Sequence, residues 1–189
     1  MARYWFLLKR WVALLGLTAT AAAVIFTVQT AALQKTLADK TLRLHVVANS
    51  DTDADQAQKL RVRDAVLGAV GALTDGCSSR AEAEQALGAG LGRVQAAAQD
   101  VLTAEGCDLP VRVSLEDQRF GTRTYDTFTL PAGTYRALCV RIGAAQGHNW
   151  WCVVFPTLCT AASGEETARI AAAGGFDADE TELVTDADG

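Results

Sequence analysis

Residues 11–28, from Trp11 through Val28, contain no charged side chain. As an α-helix these eighteen residues rise roughly 27 Å, close to the ~30 Å hydrocarbon core of a bilayer. Arg3, Lys9 and Arg10 precede them, with the aromatic residues Tyr4, Trp5, Phe6 and Trp11, and no acid falls within residues 1–32. A basic flank stays on the cytoplasmic side, so whatever follows is expected to cross. Two forms fit: an uncleaved signal-anchor, or a signal peptide cut near Thr30-Ala31-Ala32. The length of the apolar run favours the anchor. No cysteine follows the run closely, so lipidation is not indicated.

The charge of the rest follows from this segment. The net charge is −5, and the +3 in residues 1–32 leaves −8 for the remainder. An acidic domain repels phosphate backbones, which argues against nucleic acid as a partner. It repels an anionic bilayer equally, so membrane attachment falls to the N-terminal segment. The 189 residues suffice for one domain with accessory segments. Five cysteines, Cys77, Cys107, Cys139, Cys152 and Cys159, suit an oxidising exterior. They form no Cys-x-x-Cys pair, and His45 and His148 are the only histidines, so no closed metal site is expected.

Residues 33–40 read as a polar linker. Residues 41–48 read as a strand with Leu42, Leu44 and Val46 on one face. Asn49-Ser50-Asp51-Thr52-Asp53 has turn and helix-start chemistry, with Ser50 and Asp53 spaced as a capping box. A helix to about residue 73 follows, with Val62, Val66, Ala69, Val70 and Leu73 on one stripe. A second helix is expected over 80–105. There Gly88, Gly90 and Gly92 either weaken it or mark close packing against a neighbour. The period then changes. Strands are expected over 110–116, 125–130, 134–142 and 149–155. The order β-α-α-β-β-β-β predicts an α+β domain over 41–160, with helices on one face of a mainly antiparallel sheet of four to five strands. The acidic, small-residue stretch 161–189 reads as a loosely packed tail with one short helix near 165–172.

Asp51-x-Asp53-x-Asp55 imitates a calcium loop, but the sixth position is Gln56 and the twelfth Val62, which removes the bend and the bidentate ligand. Helix capping accounts for the acids better. Gly147-His148-Asn149-Trp150-Trp151-Cys152 is the densest group of chemically unusual residues. His148 and Cys152, four apart on a strand, stand roughly 13 Å apart along one face, too far for a thiol–imidazole pair. Trp150 and Trp151 alternate faces, one toward the core and one toward a surface. A four-residue hairpin loop between Gly143 and His148 would set Cys139 opposite Cys152, and Cys152–Cys159 across Pro156 is the competing disulfide. Cys77 and Cys107 bracket the second helix and can meet only if it folds back.

Two stretches carry a resemblance. One is Leu42-Arg43-Leu44-His45-Val46-Val47-Ala48-Asn49-Ser50-Asp51, continued by Asp55-Gln56 and Lys59-Leu60-Arg61-Val62-Arg63-Asp64-Ala65-Val66. The other is Tyr135-Arg136-Ala137-Leu138, then Gly147-His148-Asn149-Trp150-Trp151-Cys152-Val153-Val154-Phe155-Pro156 and Leu158-Cys159. Over about residues 40–160 the chain resembles the stage II sporulation protein R family of endospore-forming bacteria. The resemblance implies a protein made in the forespore and exported into the space between the two cells. There it triggers a membrane-embedded aspartic protease of the mother cell, which processes a pro-sigma factor. It implies a ligand without catalytic residues, cofactor, metal or small-molecule substrate. It also favours Cys152–Cys159 as the disulfide, with Cys139 left as the alternative partner.

The expected contacts with the external portion of that protease are Asn49, Ser50, Asp51 and Asp55 together with His148, Asn149, Trp150 and Trp151. The competing classes are an exported thiol- or carboxylate-dependent hydrolase of the cell envelope and a structural envelope protein. A hydrolase calls for a deep pocket with a histidine beside a cysteine or an acid. A structural protein calls for a repeat, and the sequence has none.

Overall fold

The computed structural model describes residues 2–160 and 162–185. The chain divides into two units, residues 1–36 and 37–189. Helix α1 (Ala2–Lys40) forms the first unit, and its last four residues begin the second. Within Leu14–Lys40 lies an apolar window, none of it buried, long enough to cross a membrane. Trp11, Leu15 and Phe26 are more than half exposed. Each threonine hydroxyl here is already paired. Thr18 donates to the Leu15 carbonyl at 3.0 Å, Thr20 to Gly16 at 2.8 Å and Thr27 to Val24 at 2.8 Å. A helix whose threonine hydroxyls bond back to its own turn presents no unpaired hydroxyl to hydrocarbon.

The second unit is α+β. After β1 (Leu42–Val47) come α2 (Asp53–Thr74), α3 (Arg80–Ala104), β2 (Val111–Phe120), β3 (Arg123–Thr124), β4 (Thr129–Leu130), β5 (Gly133–Ile142) and β6 (Asn149–Phe155). A 3-10 turn (Leu158–Thr160) and helices α4 (Gly164–Ala173) and α5 (Ala178–Thr185) close it. The main sheet has the order β2-β5-β1-β6. β1 lies parallel to β5 and antiparallel to β6, and β2 is antiparallel to β5.

Every residue of β1 is buried, as befits a central strand covered on both faces. Leu42, Leu44 and Val46 face α2 and α3, where Val62, Val66, Leu87 and Val94 meet them. Arg43 and His45 point the other way, to a layer that includes Phe120, Tyr135, Cys139 and Trp151. The helix pair is close-packed at Gly90, where a Cβ would stand 2.7 Å from Leu73 Cδ2; Gly92 has open space around it.

Several expectations change. The β5–β6 hairpin does not form, because β1 lies between its two strands. Cys139 is level with His45 and Cys152 with Leu44, on opposite faces of the sheet. No Cys139–Cys152 bond is geometrically open, and Cys139 is a buried free thiol. Cys152 pairs with Cys159 instead, at a Cα separation of 6.2 Å. Cys77 and Cys107 are also free, at opposite ends of an unbroken α3.

Residues 33–40 are helical rather than a linker, and Leu37 is fully buried. The expected strand 125–130 is mostly the turn of the small β3–β4 hairpin, which stands apart from the main sheet. The stretch after residue 160 is not a loose tail. Helices α4 and α5 bury Ala171, Phe176 and Val184 against Leu37, Phe128 and Leu158. Glu180, wholly buried, accepts from Lys40 Nζ at 2.5 Å. Single apolar residues among many acids and alanines hid this packing from any periodic pattern.

Candidate partner-binding site

The segment after β1 and the loop before β6 lie far apart in sequence and form one surface. Gly147 N donates to the Ala48 carbonyl at 3.0 Å and Gln146 N to the Asn49 carbonyl at 3.1 Å. Ala144 N donates to Asn49 Oδ1 at 2.9 Å. Gly143 turns through a left-handed φ of +55°, and a side chain there would strike the Asn49 amide. Gly147 lies so close to the Ser50 carbonyl that a Cβ would drive into it. The loop is therefore laid directly on the β1–α2 connection.

The cap of α2 is displaced two residues from the expected one. Thr52, not Ser50, is the N-cap, and its Oγ1 accepts from Asp55 N at 3.3 Å. The Asp55 carboxylate turns back to take the Ser50 hydroxyl at 2.5 Å and Asn49 Nδ2 at 2.9 Å. Those two bonds hold the Asp55 carboxyl below its usual range, the Ser50 bond contributing most. Asn49, Ser50 and Asp55 thus spend their side chains on holding the connection.

Asp51 and His148 stand outward. Asp51 Oδ1 accepts the His148 backbone N–H at 2.5 Å, and His148 Nδ1 lies 2.5 Å from the same oxygen. The backbone bond first, then the ring contact, keeps Asp51 below the ordinary carboxylate range. Beneath the pair, Lys59 is almost fully buried, its Nζ donating to Gln56 Oε1 at 2.6 Å and to the His148 carbonyl at 3.1 Å. Burial lowers its pKa. Lys59 and Gln56 belong to the residues that support the site although their spacing gave no sign of it. An open depression of about 430 Å³ is lined by Asp51, Arg123, Gln146, His148, Asn149 and Trp151.

The two tryptophans take opposite faces, as alternation predicts. Trp150 packs on the helical side, with the Arg63 guanidinium 5.1 Å from its ring. Trp151 lies on the other side, stacked on His45 with centroids 3.9 Å apart and planes 9° apart. Phe120 meets it edge-on at 4.9 Å, and Arg123 sits 5.2 Å from its ring. Neither ring is free; both are half-buried.

Thiol and imidazole do approach one another in this layer. His45 Nδ1 is 2.8 Å from Gln118 Oε1, and Cys139 Sγ donates to the same oxygen at 2.9 Å. Burial pushes the Cys139 thiol up to about 12 and lowers the His45 pKa. A thiol so far from ionising is a poor nucleophile at neutral pH, and the imidazole is held neutral. The second thiol near a histidine in sequence, Cys152, is bound to Cys159. His148 has an acid beside it, but in an open depression rather than an enclosed pocket.

The surface and its supports fall inside the span matched by the family model described as stage II sporulation protein R, residues 38–165. The chain belongs to the stage II sporulation protein R family. A family member from Bacillus subtilis (strain 168), "Stage II sporulation protein R", is 36% identical over 121 residues, which is 64% of this chain and 54% of that protein. The match spans about half the length of that relative. No solved structure matches the chain. The family span takes in β1 through β6 and ends as α4 begins, so most of the two C-terminal helices lie beyond it.

Proposed function

We propose that this chain is an exported intercellular signal that activates a membrane-embedded aspartic protease and so triggers processing of a mother-cell pro-sigma factor during sporulation. Membership of a sporulation family supports the process, and the N-terminal apolar helix supports export or anchoring. The observation that carries the reading is the joining of Asn49–Asp55 to Gln146–Trp151 as one outward surface, pinned by the Asp51–His148 contact. Polar loops braced on a rigid sheet are a common recognition surface. The partner is the external portion of the protease. Asp51, His148 and Asn149 supply exposed contacts, while Asn49, Ser50 and Asp55 hold them in place.

An envelope hydrolase would have to work through His148 and Asp51 or through Cys139. The first pair lies open to solvent and the thiol is protonated and buried, so the ligand reading accounts for more of the geometry. Co-expression of the chain with the protease and the precursor sigma factor in a non-sporulating host separates the two. Precursor cleavage that depends on both the chain and the protease supports the proposal. Cleavage by the chain without the protease contradicts it.

A further inference from the structure

The two edges of the main sheet are finished differently. β2, at one edge, carries Arg112, Glu116, Asp117 and Arg119, the kind of charge that discourages another strand from pairing. β6, at the other edge, begins Asn149-Trp150-Trp151 with no charge at all.

The backbone of β6 shows which groups are open. Val153 N donates to Cys159 Sγ at 3.1 Å, so it faces away from β1. Directions alternate along an antiparallel strand, so the N–H and C=O of Trp151 and Asn149 face the same way. Val153 is thus capped by the disulfide turn, and Trp151 and Asn149 are left without a strand on that side.

A groove runs beside these groups. It measures about 320 Å³, between Trp150 and Trp151 on one side and the β3–β4 turn at Thr124–Phe128 on the other. On the helical side an apolar depression of about 210 Å³ is lined by Leu67, Val70, Trp150 and Val154. On the opposite side Arg123 is exposed over Trp151 and has no ion pair among the described residues. Asp126, exposed on the hairpin turn, repels an acid there. At the Arg123 end the acid that shares the depression, Asp51, is engaged by the His148 backbone N–H and ring, so Arg123 is the charge open to an incoming acid.

We infer that the Asn149–Trp151 edge of β6 takes up an extended segment of the partner protein as an added strand, with an apolar side chain toward Leu67 and Val70 and an acidic one toward Arg123. Main-chain bonds to Asn149 and Trp151 supply the pairing, and side chains on alternate faces supply the selection. Charge complementarity names the occupant: in a domain rich in acid, an unpaired arginine beside an open strand edge favours an acidic-apolar segment. The inference rests on the proposal that this face touches the protease, and it specifies how.

The test uses the full chain and the full-length protease in the same detergent micelles, with amide exchange read at single residues. In the chain alone, the Asn149 and Trp151 amides should exchange fast, and those of Trp150 and Cys152, bonded to β1, slowly. In the complex the first two should slow at least tenfold. Arg123→Glu should weaken complex formation at least tenfold, and Arg123→Lys should retain it. A complex that forms with the Asn149 and Trp151 amides unchanged overturns strand addition while leaving the protease as the partner. Absence of any complex overturns both. Protection that appears in the chain alone and grows with its concentration assigns the edge to a second copy, which also overturns the inference. An unchanged affinity for Arg123→Glu overturns the acidic character of the segment.

Discussion

His45 shows how little a local pattern says about the far side of a strand. Alternation in Leu-Arg-Leu-His-Val sets it opposite Leu42, Leu44 and Val46, and that opposite face is a second interior. The ring is almost wholly buried, stacked on Trp151 and bonded through Nδ1 to Gln118. Burial lowers its pKa from the ordinary 6.5, with the Gln118 bond opposing. Above about pH 6.5 both folded and unfolded chains hold the ring neutral. Below that the unfolded chain takes up a proton that the folded one refuses, so stability declines as pH falls toward the lower folded value. The slope for one such proton is at most about 1.4 kcal/mol per pH unit. Chemical denaturation of His45→Asn between pH 7 and 5 should show this part of the decline removed, and an unaltered slope would contradict it.

Arg43, two residues earlier, shares this interior. It donates to the Tyr125 hydroxyl at 2.9 Å and lies 4.0 Å from the Phe120 ring, while its Nε and Nη1 lack partners among the described residues. Alternation told which face these two residues take; only tertiary packing of β2, β5 and β6 could tell that the face is covered. The site residues divide likewise. The turn chemistry of Asn49–Asp55 was legible, but whether each polar group caps the chain or meets solvent depended on the loop from 146 to 148, nearly a hundred residues away.

At the level of elements, the contact between the β1–α2 connection and the β5–β6 loop depends on the absence of a side chain at Gly147. Gly147→Ala would push the loop off the Ser50 carbonyl, with a cost of roughly 1–3 kcal/mol of the kind seen on overpacking. The expected result is a lower melting temperature together with reduced protease activation. Wild-type values of both would show that the loop can shift freely. The disulfide belongs to the same scale. Its two cysteines are seven residues apart, and closing so short a loop contributes about 2 kcal/mol. Reduction, or Cys159→Ser, should lower stability by about that amount and release the Val153 N–H at the edge of β6. No change in the unfolding midpoint on reduction would contradict a structural bond.

Helices α2 and α3 were readable because their apolar stripes repeat at helical spacing. The sheet order was not, because the insertion of β1 between β5 and β6 is decided by burial of its two faces. A local hairpin signal carries no information about a strand more than ninety residues upstream.

Over the whole molecule, the α+β class, the leading apolar helix and the family were legible from the sequence. The extent of the folded unit was not. Leu37 and Lys40 at its start are tied to α4 and α5 at its end through a shared apolar cluster and the Lys40–Glu180 pair. Truncation after Ser163 would uncover Leu37, Phe128, Leu130 and Leu158. At ~1.5–3 kcal/mol for each of these four buried side chains, the loss is roughly 6–12 kcal/mol, comparable with the whole stability of a small domain. The truncated chain should bind a hydrophobic dye and lose its cooperative melt. A cooperative melt at the full-length temperature would return this region to the status of a tail.

The proposed role is tested most directly by reconstitution. The protease is placed in liposomes with its external portion outward and the precursor sigma factor inside, and the full chain is presented in detergent-stabilised form from outside. The expected result is precursor cleavage that begins on addition of the chain and is lost when the protease's catalytic aspartates are replaced. Cleavage unaffected by adding the chain, or cleavage that proceeds without the protease, would contradict the signalling role.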